Sequence, residues 1–582
     1  MLPPMFEWDD GDTCLRNEGR FCKVEAVLNM PNNNLTLLNK LQDILLDKTK
    51  MDRSVLRRAI CVPKDVQDTK SYLTARINEN LESFNLTAEI DYQYCTGENL
   101  PNFFDYAILY VQLFYIIFVL FATVYSINRK SEISNFGKFV CCFSLLRSWR
   151  KRTVISKSED HVRLLSMQGI RTLVMLSIIS THICLLYGMS YIHNPEEFET
   201  LITNIRYFLS VAYFLVLPFF LMSSWLLSLQ IYKIQEKCGE FTFKHAGIII
   251  INRYFRFSTA YIIIAISSAV WTRSFYRNSL QFDISIVTQE MCREGWLYSL
   301  LHLSNFSYLM DICQPVTWYL SVDFQLYVLY VFVMYIVFKY KLPEFTSYGV
   351  FLGVCWILHA IVLYYYDVNL TMVTNCRSLD IRHFRHSSVF LIAYSSTVSN
   401  MSASFLGVIF GAIYFKYKNI RIVRITQISL YLWVILFFGL PLSAVFINLI
   451  EYNRLESSFI GSLIRPMFNL GMGIGILGMS YKLGGNIRKF LENKYAAFLS
   501  NISFCTYITH IAIVFIMNFK TTNFNYIHYI LDTIFLIPPC LLFGLVMTLL
   551  VEEPLLTLQK KFLPQIDIRS KNKLEESNKK GN

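Results

Sequence analysis

Long hydrophobic runs dominate the chain after its first hundred residues, and short polar segments separate them. The runs lie at about residues 105–127, 164–190, 207–230, 247–270, 318–338, 347–366, 388–415, 426–450, 459–480, 497–517 and 528–551. Each has roughly 20 or more residues, the length of helix that crosses the hydrocarbon core of a bilayer. Such runs are too long for the strands of a membrane barrel. The pattern therefore predicts an all-α polytopic membrane protein with about 11 transmembrane helices.

The composition agrees with this prediction. Hydrophobic residues make up 54% of the 582 residues and charged residues only 16%, whereas a soluble domain carries about 25% charged residues. The formal net charge of +12 does not indicate nucleic-acid binding, because Lys and Arg concentrate in particular loops, as the positive-inside rule describes. We expect membrane lipids, and no nucleic acid, among the partners.

The distribution of charge around the first run predicts the orientation. Glu98 and Asp105 stand before or at the start of this run, and the loop after it is rich in Lys and Arg. This asymmetry places the N-terminus in the lumen or outside the cell and the loop in the cytoplasm. Eleven spans then leave the basic C-terminal tail in the cytoplasm of an endoplasmic-reticulum or plasma-membrane protein. The opening MLPPMFEWDDGD lacks the apolar core of a signal peptide, so the first span inserts with its N-terminus outward or an upstream start is missing.

The expected domains follow from these boundaries. They are a lumenal or extracellular cysteine-containing domain at 1–104, the first transmembrane helix at 105–127, a basic cytoplasmic loop at 128–163, a ten-helix membrane domain at 164–551 and a basic cytoplasmic tail at 552–582.

The cysteines and glycosylation sequons also favour an outward N-terminal domain. Cys14, Cys22, Cys61 and Cys95 precede the first span, and their even number suggests disulfides whose pairing the sequence leaves open. The candidate glycosylation sites are Asn34, Asn85, Asn305 and Asn369. The chain has no Cys-x-x-Cys pair and no Cys/His ligand spacing, so we expect no metal site.

The second hydrophobic run carries two ionisable residues, Arg171 and His182, whose burial in a membrane costs free energy. Their spacing puts both on one helix face, with a rise of roughly 16 Å between them. Two ionisable residues on one stripe indicate a polar cavity rather than lipid. The alternative is that Arg171 extends to the headgroups and His182 is a buried hydrogen-bonding residue.

Further ionisable residues lie in later runs. Arg253 and Arg256 start the fourth span, and the predicted topology places them with Arg171 toward the cytoplasm. Three guanidinium groups there could hold the phosphates of an anionic donor. Asp323 lies in the fifth span, with Gln325 two residues later; a buried Asp requires a partner, so a structural ion pair is the alternative to a functional role.

These motifs resemble the acyltransferase 3 family, in its nose-resistant-to-fluoxetine-like animal branch. GIRTLVMLSIISTH resembles the family's Arg/Lys-x10-His helix, NRYFRFSTAY its Arg-x-x-Arg motif, and LSNISFCTYITH, with Tyr507 and His510, its closing elements. The cysteine domain and the WYLSVDFQ block resemble the animal branch. One departure is a segment where the family commonly has an arginine and this chain reads SNMSASFLG, with Asn400.

The resemblance implies O-acyl transfer across a membrane. The family's catalytic histidine falls on His182, and its basic positions fall on Arg171, Arg253 and Arg256. It implies acyl-CoA as co-substrate, no bound cofactor and an unknown hydroxyl acceptor on the far side. The remaining polar residues, Asp323, Gln325, Tyr507 and His510, are expected to form a supporting polar site.

The resemblance also implies a disulfide between Cys292 and Cys313, with mixed pairing to Cys376 as an alternative. Two other functions use the same features. The first is a lipid or small-molecule transporter with the same polar cavity, and the second is a non-catalytic receptor or scaffold on the same fold.

Overall fold

A computed structural model of the protein shows a small N-terminal α/β domain attached to a helical membrane domain. It describes residues 2–29, 35–47, 49–96, 102–128, 134–154, 156–275, 282–307, 312–368, 389–419, 427–450, 452–517 and 523–566. Asn34, Asn369 and Cys376 lie outside the described residues.

The N-terminal domain is built on a four-stranded sheet in the order β1-β3-β2-β4. Its elements are β1 (Phe6–Trp8), α1 (Gly11–Arg16), β2 (Arg20–Asn29), α2 (Leu35–Leu46), β3 (Val55–Val62), α3 (Thr69–Leu81) and β4 (Thr87–Cys95). One face of the sheet packs against α3 through residues such as Val24, Leu56 and Ile77. The sequence predicted the disulfides here but not the sheet.

Two disulfides hold this domain together. Cys14 pairs with Cys61, and Cys22 on β2 pairs with Cys95, its direct neighbour across the sheet on β4. The prediction of a disulfide-containing N-terminal domain is confirmed. Asn85 is exposed on the same domain, two residues before β4.

Eleven helical segments in the described residues are long and apolar enough to cross a membrane. Their helices are α4 (Phe103–Asn128), α8 (Ser166–Met189), α11 (Leu217–Cys238), α12 (Phe243–Phe275), α14 (Trp318–Lys339), α15 (Glu344–Tyr366), α16 (Thr397–Tyr417), α17 (Gln427–Ile447), α18 (Arg454–Ser480), α20 (Lys494–Ile516) and α21 with α22 (Tyr526–Met547 and Glu553–Phe562). The predicted multipass helical architecture is therefore confirmed.

Shorter helices connect the spans. They are α5 (Asn135–Val140), α6 (Leu145–Thr153), α7 (Glu159–Arg163), α9 (Pro195–Asn204), α10 (Arg206–Ala212), α13 (Phe282–Leu300) and α19 (Gly485–Leu491). A disulfide between Cys292 on α13 and Cys313 ties the connection before α14, as the resemblance implied. We call the side of the membrane domain that carries α5–α7 and α22 the basic side.

Small residues let two central spans approach closely. A Cβ atom added at Gly407 of α16 would lie 2.2 Å from the carbonyl oxygen of Leu221 on α11, and one at Gly411 would lie 2.7 Å from Ser228 Cβ. Van der Waals contact and hydrogen bonding drive helix association in lipid, so small residues at such crossings allow close contact. Ser224 of α11 also hydrogen-bonds Ser404 of α16 at 2.8 Å. These contacts hold α11 and α16 directly against each other.

The N-terminal domain packs against the membrane domain on the side opposite the basic side. Trp8 stacks on His193 with ring centroids 3.9 Å apart, and the Lys23 ammonium lies 4.3 Å from the centroid of the Tyr191 ring. Arg53 pairs with Glu199 of α9 at 2.8 Å, and the same carboxylate accepts from the Met51 amide at 2.9 Å. Burial raises the pKa of Glu199, while the charge of Arg53 opposes the shift.

We expect Glu199→Ala to weaken this docking by about 1.5–3 kcal/mol, because it removes a charge-assisted hydrogen bond at a buried site. Hydrogen exchange of the backbone around residues 51–58 should become faster. Glu196→Ala is the matched control, since Glu196 contacts the same Arg53 at 3.4 Å with 75% of its side chain exposed. Equal exchange in the two variants would contradict a docking role for Glu199.

Candidate active site

A histidine pair lies inside the membrane domain. His182 of α8 and His510 of α20 are joined by a 2.7 Å hydrogen bond between Nδ1 of His182 and Nε2 of His510. The two rings are nearly parallel, with centroids 5.0 Å apart. His510 is fully buried, and its Nδ1 lies 2.7 Å from the backbone carbonyl oxygen of Tyr507.

The hydrogen bonds of this pair define its proton positions. A carbonyl oxygen only accepts, so Nδ1 of His510 carries the proton donated to Tyr507. In a neutral His510 ring, Nε2 is then the acceptor, and Nδ1 of His182 is the donor. Nε2 of His182 has no hydrogen-bond partner among the described residues. That nitrogen is therefore available to accept a proton from a third group.

His182 borders an apolar cavity of about 120 Å³. Most of its lining comes from the ends of spans on the N-terminal-domain side. The lining residues are Ile178, Thr181, His182, Leu185, Leu209, Ala212, Tyr213, Leu215, Val216, Pro315, Val316, Trp318, Phe390, Tyr394, Tyr507 and Ile511. Tyr507 is fixed by a hydrogen bond from its hydroxyl to the carbonyl of Val316 at 3.2 Å.

Arg253 is held in a buried ion pair. Its Nη2 donates to Asp323 Oδ2 at 2.6 Å and to Ser223 Oγ at 2.7 Å. Asp323 is 2% exposed, and the guanidinium carbon of Arg253 lies 4.3 Å from the Phe257 ring centroid and 4.8 Å from that of Tyr327. Asp323 therefore has the arginine partner that a buried carboxylate requires.

A second cavity, of about 580 Å³, opens near these arginines. Its lining contains four cationic side chains and no carboxylate; the cations are Lys233, Arg253, Arg256 and Lys560. Lys233 is paired with Asp160 at 2.6 Å, whereas Arg256 and Lys560 have no ion-pair partner within the described part of the chain. We call this space the basic cavity.

The C-terminal segment forms one wall of the basic cavity. Asn252 donates to the carbonyl oxygen of Pro564 at 3.0 Å, and Gln559 donates to both oxygens of Asn252, at 2.7 and 3.0 Å. A second anchor is Arg152, which pairs with Glu552 at 2.9 Å and Glu553 at 2.8 Å. The start of the predicted tail is thus helical and packed against the bundle.

Arg171 and Tyr319 lie between the two cavities. Arg171 is close enough to Arg253, Arg256 and Tyr319 for their charges and dipoles to interact. Tyr319 packs against Tyr507 with ring centroids 5.4 Å apart. The three arginines singled out in the sequence therefore lie together, and Tyr319 connects them to the histidine pair.

Gln325 does not join this group. Its amide donates to the carbonyl of His302 at 2.7 Å and to Asn305 Oδ1 at 2.8 Å, and it accepts from Thr397. Residues two apart point to different sides of a helix, so Gln325 faces away from Asp323. The structure thus places Gln325 in a separate hydrogen-bonded group with His302, Asn305 and Thr397.

Asn305 is a second correction. It is 2% exposed, and its amide donates to Thr397 Oγ1 at 3.1 Å. A glycan requires a solvent-exposed asparagine, so the prediction of glycosylation at Asn305 is contradicted in this fold.

Sequence reasoning missed Tyr319, Lys233 and Lys560. Lys560 stands in a run of tail lysines and gives no signal of its own. Tyr319 lies within the motif WYLSVDFQ, but an aromatic residue at the start of an apolar span ordinarily indicates an interfacial anchor.

These features define an integral, multipass helical membrane protein with an interior histidine pair between an apolar and a basic cavity. A family model described as an acyltransferase domain matches residues 164–551, which is more than half of the chain. The chain therefore belongs to the acyltransferase 3 family, as the motifs indicated.

A relative in the same branch is Nose resistant to fluoxetine protein 6 of Caenorhabditis elegans. The two are 24% identical in an alignment 322 residues long, which covers 49% of this chain and 38% of the worm protein. The matched region thus spans less than half of that relative's length. No solved structure matches the chain.

Proposed function

We propose that this protein transfers an acyl group from acyl-CoA to a hydroxyl acceptor, with His182 as the general base. The observation that carries the proposal is the His182–His510 hydrogen bond, which leaves Nε2 of His182 as a proton acceptor beside a cavity. Membership of the acyltransferase family supports acyl transfer as the reaction type.

The reaction follows from these positions. Nε2 of His182 takes the proton from the acceptor hydroxyl as its oxygen attacks the thioester carbonyl carbon. The C–S bond then breaks, and the CoA sulfur leaves with the proton that His182 carries. The products are an oxygen ester and free CoA. His510 is a positioning residue that keeps the proton of His182 on Nδ1, away from the reacting nitrogen.

The basic cavity is the proposed site for the phosphates of the donor. Arg256 and Lys560 supply unpaired cations, and cationic donors are the groups that bind phosphate most strongly. Asp323 holds Arg253 in place beside these two cations, so the guanidinium of Arg253 has a fixed position in the lining. Acyl-CoA is a co-substrate here, and the proposed reaction needs no bound cofactor.

The proposed orientation places the basic side in the cytoplasm, because basic loops favour that side of a membrane. The disulfide-containing domain then lies in the lumen or outside the cell, where disulfides persist. The acceptor reaches His182 from that side, in the endoplasmic reticulum or the plasma membrane.

Donor binding to the purified full-length protein tests this proposal. We expect Arg256→Ala and Lys560→Ala each to raise the Kd for CoA about tenfold to hundredfold, since each removes a charge-assisted contact to phosphate. Isothermal titration with CoA at low and high salt measures the change. Lys561→Ala is the matched control, because Lys561 is the next residue but does not line the cavity.

Two results would overturn the donor site. One is the absence of CoA binding to the folded wild-type protein. The other is an equal loss of affinity in Lys560→Ala and Lys561→Ala, which would indicate a general surface charge effect rather than a site.

A further inference from the structure

Aromatic rings form one wall of the cavity beside His182. Trp318 and Tyr394 pack with ring centroids 4.8 Å apart, and Phe390 lies 6.0 Å from Trp318 and 5.6 Å from Tyr394 by the same measure. Trp318 belongs to α14, and Phe390 and Tyr394 belong to a π-helical turn, Val389–Tyr394, that precedes α16. They form one aromatic wall of the cavity.

A buried arginine supports this wall from behind. Arg465 is fully buried, and its guanidinium carbon lies 4.9 Å from the ring centroid of Tyr213 and 5.6 Å from that of Tyr394. Its nitrogens donate to the carbonyl of Ala393 at 2.7 Å and to Asn400 Oδ1 at 2.5 Å. Hydrogen bonds and cation–π contacts together fix the rings, so the depth of the cavity is fixed as well.

The lining determines what the cavity can hold. Almost all of it is apolar, and a polar group placed there without a hydrogen-bond partner would lose about 1–3 kcal/mol. The volume of about 120 Å³ is slightly below that of a cavity of about 150 Å³ that binds one benzene molecule. An aliphatic group of about five or six carbons therefore fits in size and in polarity.

The position of the cavity points to the acyl group as its occupant. In an acyl-CoA, the acyl chain lies at the opposite end from the phosphates, with the thioester between them. In the protein, the basic cavity and the apolar cavity are separate, with Arg171 and Tyr319 between them, and His182 borders the apolar one. A donor whose phosphates contact Arg256 and whose thioester reaches His182 directs its acyl chain into the apolar cavity.

We propose that the apolar cavity beside His182 binds the aliphatic chain of the acyl donor and limits it to about six carbons. This inference rests on the proposed function and adds the class of acyl group. The apolar part of an acceptor alcohol has the same chemistry, so the experiment must distinguish these two sources.

Binding of non-hydrolysable alkyl-CoA thioethers to the purified full-length protein tests the inference. We expect affinity to rise from the two-carbon to the six-carbon compound, by about fourfold for each methylene group that enters the cavity. The ten-carbon compound should gain nothing further or bind more weakly. Free CoA gives the baseline.

A larger side chain in the cavity should remove the rise in affinity with acyl-chain length. Ala212 lines the cavity, so Ala212→Phe should abolish the preference for six carbons over two while the affinity for CoA stays unchanged. Ala107→Phe is the matched control, because it places the same side chain on the first span, outside the cavity lining. Leu209→Ala, which enlarges the cavity, should move the optimum to longer chains.

Different outcomes contradict the proposed function and the acyl-chain proposal that rests on it. If CoA itself does not bind, the proposed function fails. If CoA binds but chain length has no effect in the wild type, or Ala212→Phe leaves the preference unchanged, the acyl-chain inference fails alone. Stabilisation of the wild type by 1-hexanol, lost in Ala212→Phe and without any chain dependence of the thioethers, would assign the cavity to the acceptor instead.

Discussion

Replacing His182 with Asn is expected to lower the rate of acyl transfer by about 10²–10⁴-fold, the contribution of a general base. Asn places an amide N–H where Nδ1 stood, so the hydrogen bond to His510 can persist while the accepting nitrogen is lost. The loss should appear in kcat rather than in the Kd for CoA, because His182 is remote from the basic cavity. Release of CoA thiol by membranes that contain the protein measures the rate.

Variants of His510 test whether its role is to position His182. His510→Leu removes the acceptor for Nδ1 of His182, and we expect a loss of about 10–100-fold, as for the groups that orient metal-ligating histidines. His510→Gln restores an acceptor oxygen and should recover much of the rate. A purely structural role would not predict this recovery, provided that both variants melt at similar temperatures.

His528→Ala is the control for both variants, because this histidine is exposed at the start of α21. Full transfer activity in a folded His182→Asn variant would exclude the proposed base and would favour a transporter or a scaffold on this fold. Equal rates in His510→Leu and His510→Gln would exclude the positioning role and leave His182 as an independent base.

The spans could be predicted because each must be apolar along most of its length. The predicted run 426–450, for example, corresponds to Gln427–Ile447 in the structure. The N-terminal sheet could not be recognised as easily. β2 is buried on both faces, with Val24 against α3 and Lys23 against Tyr191 of the membrane domain. Burial on both sides obscures the two-residue alternation by which a half-buried strand is recognised.

The individual residues of the site could be predicted from the sequence, but which of them pair with each other could not. A buried Asp323 required a cationic partner, yet the sequence offered Arg171, Arg253 and Arg256 equally, and only the packing of α12 against α14 selects Arg253. His182 and His510 are 328 residues apart in sequence, so no spacing rule links them. Lys560 and Lys561 differ only by the rotation of about 100° between successive helix residues.

Arg253 and Arg256 of the basic cavity should contribute differently to the stability of the fold. Arg253→Leu leaves the buried carboxylate of Asp323 without its partner, which we expect to destabilise the fold by about 3–5 kcal/mol. Arg256→Leu should have little effect on stability, since Arg256 is exposed and has no ion-pair partner among the described residues. Thermal melting of the purified protein measures the difference.

The double variant Arg253→Leu/Asp323→Leu is expected to recover most of the stability lost in Arg253→Leu. Replacing a buried ion pair with apolar residues of similar volume is often neutral, whereas removing one partner is costly. A double variant as unstable as Arg253→Leu would mean that Ser223, Phe257 and Tyr327, not Asp323, determine how Arg253 stabilises the fold.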